Sequence, residues 1–242
     1  MVTGGASGRG LSICEAFSAS GYRVAILDID GAAAQRVAEQ LRTAGGAAIA
    51  CEVDVTDRRA VDEAMRKTRA EFGAIEILVT SAGLVGFSPF TEISPEAWNR
   101  VVDVNLNGVF HCVQAAIPDM VAAGWGRIVT ISSSSAQRGS PRMVHYTAAK
   151  GAVVAMTKGL AREYAASGIT VNTIPPSGID TPMQRKSQAE GFLPDDSVMA
   201  KAIPVGHLGT GDDIAAACVF LCSDQAGYIT GQVLGVNGGS VI

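Results

Sequence analysis

The chain has 242 residues, of which 48% are hydrophobic and 17% are charged, a composition that suits one large domain with a buried core. It excludes an intrinsically disordered chain, a collagen-like fibre and a small disulfide scaffold. The net charge of −4, with no long run of like charges, argues against a protein that binds nucleic acid or an anionic membrane surface.

The cysteines are odd in number and lie in apolar surroundings, which is typical of a reducing compartment rather than of a disulfide framework. They are Cys14, Cys51, Cys112, Cys218 and Cys222. No further metal-ligating side chains accompany them in sequence, so we expect no metal site. No apolar run is long and uninterrupted enough to span a bilayer, so we expect a cytoplasmic protein.

Seven short apolar or β-branched runs alternate with longer amphipathic stretches. The runs predict strands at Met1–Thr3, Arg23–Asp28, Ala47–Asp54, Ile75–Thr80, Arg127–Ser132, Ile169–Ile174 and Val233–Val236. The stretches predict helices at Gly8–Ser20, Ala32–Ala44, Asp57–Phe72, Pro95–Ala123, Tyr146–Ser167 and Asp212–Ser223, with start signals at Asp30, Thr56 and Ser94-Pro95. This alternation predicts one α/β, doubly wound Rossmann domain over residues 1–242, with a seven-stranded parallel sheet covered by helices on both faces.

The first strand leads into a glycine-rich turn, Thr3–Gly10, that precedes a helix. Backbone N–H groups of such a turn can cradle a diphosphate, and a Cβ there would block its approach. A plain loop is the alternative, because the chain is rich in glycine. Since the strand before the turn is short, we expect further residues upstream of Met1.

Two aspartates end the next strands along the chain. Asp28 lies about 20 residues beyond the turn, where a carboxylate binds the adenosine ribose hydroxyls and repels a 2′-phosphate. This favours NAD over NADP as the cofactor. Asp54 ends the third strand, and it either contacts the adenine edge or caps the helix that follows.

Tyr146 and Lys150 are four residues apart at the start of an apolar helical pattern, so both side chains lie on one helix face. An ammonium at about 4 Å in an effective dielectric of about 20 lowers a phenol pKa by roughly three units. Tyr146 would then transfer protons near neutral pH. Ser133 ends the fifth strand, where its hydroxyl can hold a carbonyl or alkoxide oxygen. A surface pair is the alternative for Tyr146 and Lys150.

Thr3-Gly-x-x-x-Gly8-x-Gly10, Ser133, Tyr146-x-x-x-Lys150 and the closing segment Gly231–Gly239 together resemble the short-chain dehydrogenase/reductase family over essentially the whole chain. The nearest resemblance is to 3-oxoacyl-carrier-protein reductases. It implies that Tyr146 is the catalytic acid and base, that Lys150 lowers its pKa and binds the nicotinamide ribose, and that Ser133 orients the substrate oxygen. Asn105 matches the asparagine that anchors a water-linked proton relay; a buried structural asparagine is the alternative.

The resemblance also implies the walls of the cofactor site. Ile179 and Thr181 match the positions that hold the nicotinamide carboxamide, although Thr181 would also suit a loop brace. The remaining cofactor-binding residues that it implies are Gly4, Ser7, Gly8, Arg9, Gly10, Val55, Ala82, Gly83 and Pro176.

The chain departs from the family pattern at three places. Thr80-Ser81-Ala82-Gly83 replaces Asn-Asn-Ala-Gly, which puts the bracing of the central sheet in doubt. Ser177 stands in place of a glycine. Arg9 replaces an apolar residue, and its charge keeps NADP as the less favoured cofactor.

The segment 183–203 is too irregular for the core and is expected to cover the active site as a lid whose apolar side favours a hydrophobic substrate. We expect Met143 and His145 to contact the substrate beside Ser133 and Tyr146. His145 would be a wall residue or a second acid and base. Because Met120–Gly124 and Ala166–Gly168 carry no basic residue, docking of an acidic carrier protein is disfavoured, which favours a free alcohol or ketone, or a coenzyme A thioester.

The sequence therefore predicts NAD(H)-dependent interconversion of a secondary alcohol and a ketone. Alternatives are an NADPH-dependent 3-oxoacyl-carrier-protein reductase, a catalytically silent dinucleotide sensor, and a dehydratase or epimerase on the same scaffold. The resemblance further implies a homotetramer, assembled through the helices Pro95–Ala123 and Tyr146–Ser167 and the C-terminal tail.

Overall fold

A parallel sheet of six strands lies between two layers of helices in the computed structural model, which describes residues 1–242. The order across the sheet is β3-β2-β1-β4-β5-β6. The chain direction across the sheet reverses between β1 and β4, and ligands of doubly wound folds bind in the crevice at that point. The strands are β1 (Val2–Thr3), β2 (Val24–Asp28), β3 (Ala48–Glu52), β4 (Ile77–Thr80), β5 (Gly126–Ile131) and β6 (Ile169–Ile174).

The helices cover both faces of the sheet. They are α1 (Gly8–Ala19), α2 (Gly31–Thr43), α3 (Arg58–Phe72), α4 (Pro95–Val102), α5 (Gly108–Ala123), α6 (Ser135–Arg138), α7 (Val144–Tyr164), α8 (Pro182–Ala189), α9 (Asp196–Ala202) and α10 (Gly211–Leu221). One apolar cluster joins the sheet to α3, α5 and α7, and a second joins it to α1, α2 and α10. Every residue of β5 is buried, as expected for a parallel strand that is covered on both faces.

The predicted start signals of two helices are confirmed. Asp30 caps α2 by accepting a hydrogen bond from the Ala33 N–H, and Ser94 caps α4 ahead of a proline in the first turn. The third helix begins one residue later than its predicted signal, with Asp57 as the cap. The cap interpretation of Asp54 is therefore wrong, and its carboxylate instead accepts hydrogen bonds from Thr56.

The prediction of a seventh strand at Val233–Val236 is wrong. Val233 forms a single isolated bridge to Thr173. Beside it, the Asn172 side chain accepts from the Gln232 N–H, which occupies a backbone group that a regular ladder would use. The chain then turns away through Gly238, which has a φ of +61°, so the pairing with β6 ends.

The predicted helix Pro95–Ala123 is interrupted. A five-residue π-helical turn, Asp103–Asn107, separates α4 from α5. Turns of this kind insert one extra residue into a helix and are frequent at functional sites. The apolar spacing on either side stays helical, which is why the sequence pattern shows one continuous element.

The loop after β4 is braced by a residue of β1. The Thr3 hydroxyl oxygen accepts hydrogen bonds of 3.1 Å from the Ser81 and Ala82 N–H groups. These contacts fix the loop although the two family asparagines are replaced. No helix of the fold combines the length and the apolarity needed to cross a membrane.

Candidate active site

Two cavities adjoin at the carboxyl ends of the strands. The larger, of about 800 Å³, lies over the glycine-rich turn, and the smaller, of about 370 Å³, lies between the loop after β5, the start of α7, and α8 and α9. Arg9, Thr181 and Met183 line both. A ligand that fills the larger cavity therefore borders a ligand in the smaller one.

The glycine-rich turn forms the floor of the larger cavity. Gly4 and Gly8 have φ angles of +64° and +50°, a region that favours glycine. A Cβ on Gly4 would lie 2.8 Å from the Ala82 Cα. Because α1 begins at Gly8, the unpaired N–H groups of its first turn are available to an anion above the turn. The Ser7 hydroxyl makes no capping bond, which leaves it available to a ligand.

Asp28 holds a fixed carboxylate at another wall of this cavity. Its two oxygens accept hydrogen bonds from the Ala6 N–H at 3.0 Å and from the Asp30 N–H at 3.1 Å. A carboxylate has further lone pairs, so Asp28 can still accept from ribose hydroxyls. The turn and this carboxylate fit the diphosphate and the ribose of a dinucleotide.

The structure brings most of the predicted cofactor residues together. Thr181 caps α8 by accepting from the Gln184 N–H at 3.2 Å, so it acts as a brace while it lines both cavities. Pro176 and Ile179 line the smaller cavity only. The larger cavity is lined by Gly4, Ser7, Gly8, Arg9, Gly10, Asp28, Asp54, Val55, Ala82, Gly83 and Thr181.

Ser133 and Tyr146 both line the smaller cavity. Ser133 lies just beyond β5, and its Oγ accepts a hydrogen bond of 2.8 Å from the Ser135 hydroxyl and one of 3.2 Å from the Ser135 N–H. Because the Ser133 Oγ already accepts these two hydrogen bonds, the hydroxyl group is free to donate its proton to a group in the cavity.

Lys150 lies one turn further along α7, and it lines neither cavity. Its Nζ is 5.9 Å from the centre of the Tyr146 ring and donates a hydrogen bond of 2.9 Å to the Ile131 carbonyl oxygen. Burial, aided by the charge of Arg9, lowers the pKa of Lys150 to about 7. The side chain therefore takes up and releases a proton near neutral pH.

The pKa of Tyr146 differs from the value expected from its spacing to Lys150. Burial raises the pKa of the phenol, while the charge of Arg9 and the nearby Ser133 hydroxyl act in the opposite direction. The reason for the difference is burial, which disfavours the phenolate and also weakens the charge on Lys150. Arg9 supplies the permanent positive charge that acts on Tyr146.

Asn105 lies in the π-helical turn and is fully buried. Its Nδ2 donates to the carbonyl oxygens of Leu84 and Val101 at 2.8 and 2.9 Å, whereas its buried Oδ1 has no partner. A Cβ on Gly83 would lie 2.8 Å from this Oδ1 and 3.5 Å from the Lys150 Nζ. The missing side chain at Gly83 thus leaves a space beside both polar atoms, and an unpartnered buried acceptor is a typical site for bound water.

Of the predicted substrate residues, Met143 lines the smaller cavity and His145 does not. The buried His145 ring packs against Gly86, where a Cβ would come within 2.5 Å of Nε2. Burial lowers the pKa of His145, so the ring is neutral at physiological pH. This position suits a residue that shapes the loop after β4 rather than one that touches the substrate.

The segment 183–203 forms the roof of the smaller cavity through α8 and α9, which are regular helices where the sequence suggests an irregular stretch. Phe192, between them, stacks on Phe87 with ring centres 4.9 Å apart. The residues of this segment that face the cavity are Met183, Gln184, Ser187, Leu193, Pro194, Val198, Met199, Ala202 and Ile203.

Some residues that line the two cavities are not predicted from the sequence. Arg138, at the end of α6, lines the smaller cavity, but a four-residue helix is too short to leave a periodic pattern. Glu96, Asn99, Arg100 and Asp103 line the larger cavity from α4 and the π-helical turn. Their spacing in the sequence does not predict that they line this cavity, because only the fold brings α4 close to the glycine-rich turn.

Known proteins are similar to this chain over nearly its whole length. The family model described as enoyl-(acyl carrier protein) reductase matches residues 4–240. An acetoacetyl-CoA reductase of Rhizobium meliloti is 39% identical over 243 aligned residues, which cover 99% of this chain and 96% of the relative. A D-threitol dehydrogenase of Mycolicibacterium smegmatis is 39% identical over 242 residues, which cover 100% of this chain and 92% of the relative.

A solved structure shares the fold. The crystal structure of a 3-ketoacyl-(acyl-carrier-protein) reductase from Brucella melitensis, complexed with NADH, superposes with a TM-score of 0.92 at 34% identity, and the match covers 100% of this chain and 97% of that one.

Proposed function

Since the chain belongs to the short-chain dehydrogenase/reductase family, we propose that it interconverts a secondary alcohol and a ketone with NAD(H), using Ser133, Tyr146, Lys150 and Asn105. One observation carries the proposal: the hydroxyl-bearing residues Ser133 and Tyr146 line a cavity that borders the dinucleotide-sized cavity over the glycine-rich turn. Reduction of a carbonyl needs such a pair of donors beside a hydride source.

A bound nicotinamide dinucleotide supplies or accepts the hydride. The glycine-rich turn would hold its diphosphate, and Asp28 its adenosine ribose. We favour NAD because a carboxylate that already accepts two backbone N–H groups is fixed where a 2′-phosphate would be repelled. The NADH complex of the Brucella melitensis relative supports a nicotinamide cofactor.

The side chains of the chain itself would handle the proton. Ser133 donates to the substrate oxygen, and Tyr146 transfers a proton to or from that oxygen. Lys150, with its pKa lowered to about 7, can pass the proton on. The unpartnered Oδ1 of Asn105 would hold a water in the space beside Lys150, which supports a relay toward solvent.

The test is a panel of secondary alcohols and ketones with each nicotinamide cofactor, followed by nicotinamide absorbance. We expect turnover of at least one compact ketone with NADH. Single-turnover oxidation of NADH separates an oxidoreductase from a silent dinucleotide sensor. A tightly retained cofactor with no net absorbance change would instead indicate a dehydratase or an epimerase.

The second candidate is an NADPH-dependent 3-oxoacyl-carrier-protein reductase. The name of the relative of known structure favours the carrier-protein substrate, whereas its complex with NADH does not favour NADPH. Met120–Gly124 and Ala166–Gly168 carry no basic residue, and this disfavours docking of an acidic carrier protein. We therefore propose a free alcohol or ketone, or a coenzyme A thioester. Much faster reduction of a carrier-protein substrate than of the matching coenzyme A substrate would favour the second candidate.

We propose that segment 183–203 acts as a mobile lid, since two short helices joined through Gly191, with a φ of +75°, cover the smaller cavity. Backbone hydrogen exchange in this segment should slow when the cofactor and a substrate are bound. Equal exchange with and without ligands would contradict a lid.

We propose a homotetramer and a cytoplasmic location. The exposed face of α7 carries small residues, with Ala148 and Ala155 accessible and open space in front of Gly151 and Gly159, and Phe110 is exposed on α5. Such surfaces allow close helix packing between subunits. The free cysteines, all buried, support a reducing compartment. Light scattering after gel filtration tests the assembly.

A further inference from the structure

The charged residues of the smaller cavity are all cations. Arg9 and Arg138 line it, and no aspartate or glutamate does. A third arginine, Arg142, is exposed and does not line the cavity, but its guanidinium carbon lies 5.6 Å from the centre of the ring of Phe192, in the segment that roofs the cavity. None of these three arginines forms a salt bridge.

Arg9 belongs to the boundary between the two cavities. Its Nε is buried without a hydrogen-bond partner, and its charge acts on both Tyr146 and Lys150. This position lies at the reacting end of the cavity, beside the cofactor site. Arg138 lines another wall, so it is available to a part of the substrate remote from the reacting carbon.

Arg142 is held in an unusual backbone conformation. It is the one non-glycine residue with a positive φ, +63°, which costs conformational energy for a residue with a side chain. Its carbonyl oxygen accepts a hydrogen bond of 2.8 Å from the Ser88 N–H. Phe192, under its guanidinium, stacks on Phe87 of the cavity wall. These contacts hold the exposed Arg142 side chain beside Phe192.

Two carboxylates near the roof are engaged elsewhere. Asp180 is paired with Arg185. Asp196, on α9, accepts a hydrogen bond of 2.7 Å from the Gln188 side chain, and it does not line the cavity. Neither Arg138 nor Arg142 forms a salt bridge with a carboxylate of the protein, so Arg138 is available to pair with an anionic group in the cavity.

We propose that the alcohol or ketone carries a carboxylate, bound by Arg138 in the cavity and attracted by the positive charge of the nearby Arg142, so that the substrate is a compact hydroxy acid or oxo acid. The inference rests on the proposed function and replaces a wholly apolar substrate with one that has an anionic end. The apolar roof residues, such as Leu193 and Val198, would hold the carbon chain between the carboxylate and the reacting carbon. A cavity of about 370 Å³ suits a ligand of this size.

The test measures binding separately from turnover. The Tyr146→Phe variant, saturated with NADH, is titrated calorimetrically with acetoacetate, levulinate and benzoylformate, each against its methyl ester. We expect at least one acid to bind about tenfold or more tightly than its ester, as a charge-assisted pair predicts, and added salt to weaken that acid alone.

Two variants assign the effect to the arginines. The Arg138→Gln, Arg142→Gln double variant should remove the preference for the acid, while Arg59→Gln, an exposed arginine of α3 that lines neither cavity, should keep it. Thermal unfolding shows that each variant is folded. The inference is overturned if every ester binds as tightly as its acid, if no acid binds, or if the preference survives the double variant.

Turnover by the unmodified enzyme separates this inference from the proposed function. If the enzyme reduces the methyl esters as fast as the acids, the proposed function is retained and the proposed carboxylate site is rejected. Binding of an acid through Arg138, with no ketone reduced by NADH or NADPH, would leave the anion site standing and reject the function.

Discussion

The Nζ of Lys150 donates a hydrogen bond of 2.9 Å to the carbonyl oxygen of Ile131, the last residue of β5. This bond fixes the amine at the carboxyl edge of the sheet, in a position from which water is largely excluded. The environment thus holds the side chain in place while it disfavours the charge.

The depressed pKa of Lys150 predicts a pH-dependent stability. The pKa is about 7 in the fold, against a usual value of 10.5, so the unfolded chain binds more protons between these values, and stability rises with pH across that interval. Lys150→Met removes this dependence. We expect the variant to be more stable than the parent by on the order of 3 kcal/mol at about pH 6, and by much less at about pH 10.

Urea unfolding of the cofactor-free protein at these two pH values checks this prediction. Lys158→Met, on the exposed side of α7, is the matched control and should leave the pH dependence unchanged. A Lys150→Met variant whose stability difference from the parent is the same at both pH values would contradict the lowered pKa.

Arg9 should set the pH dependence of Tyr146. Its charge opposes the rise in the phenol pKa that burial causes, so Arg9→Met should raise that pKa further, whereas Arg9→Lys should largely preserve it. Ultraviolet titration of tyrosinate measures the shift, and its absence in Tyr146→Phe identifies the signal. Alcohol oxidation, which needs the phenolate, should shift to higher pH in Arg9→Met. An unchanged titration in Arg9→Met would reject this role.

Asp28 should determine the choice of cofactor. Asp28→Ala removes the charge that repels a 2′-phosphate, so we expect the preference for NAD over NADP, measured as a ratio of kcat/KM values, to fall by at least about tenfold. Asp62→Ala, on the surface of α3, serves as the control. An unchanged preference for NAD in Asp28→Ala would show that another group distinguishes the adenosine ribose of NAD from the phosphorylated ribose of NADP.

The space in front of Gly83 should matter to the proton relay. A Cβ there would lie 2.8 Å from the Asn105 Oδ1, which is closer than real Cβ contacts, so Gly83→Ala should displace a water held at that oxygen. We expect kcat, measured at saturating NADH, to fall by at least about tenfold. Ala70→Ser, on the exposed side of α3, is the control, and equal losses in the two variants would argue against the relay.

The fold could be predicted from the sequence where local signals decide it. The β-branched runs, the glycine-rich turn and the caps Asp30 and Ser94 depend on neighbours in sequence, and the structure has them. The seventh strand failed for a nonlocal reason, because the Asn172 side chain takes a backbone partner that a strand would need.

Most of the residues that the sequence predicts for the site line the two cavities, whereas their electrostatics differ from the prediction. Spacing puts Tyr146 and Lys150 on one helix face, but it carries no information on burial, which controls both pKa values. The cation that acts on Tyr146 comes from Arg9, more than a hundred residues away. Arg138 lines the smaller cavity because of the course of the short segment after β5, and a segment this short leaves no periodic pattern in the sequence.

The central claim is that the Tyr146 hydroxyl transfers the proton beside a bound nicotinamide, and single-turnover oxidation of NADH by a ketone tests it most directly. Tyr146→Phe should bind NADH as the parent does and react at least about 10²-fold more slowly, while Tyr228→Phe, a fully exposed tyrosine, should react at the parent rate. A Tyr146→Phe variant that oxidises NADH as fast as the parent would contradict the account.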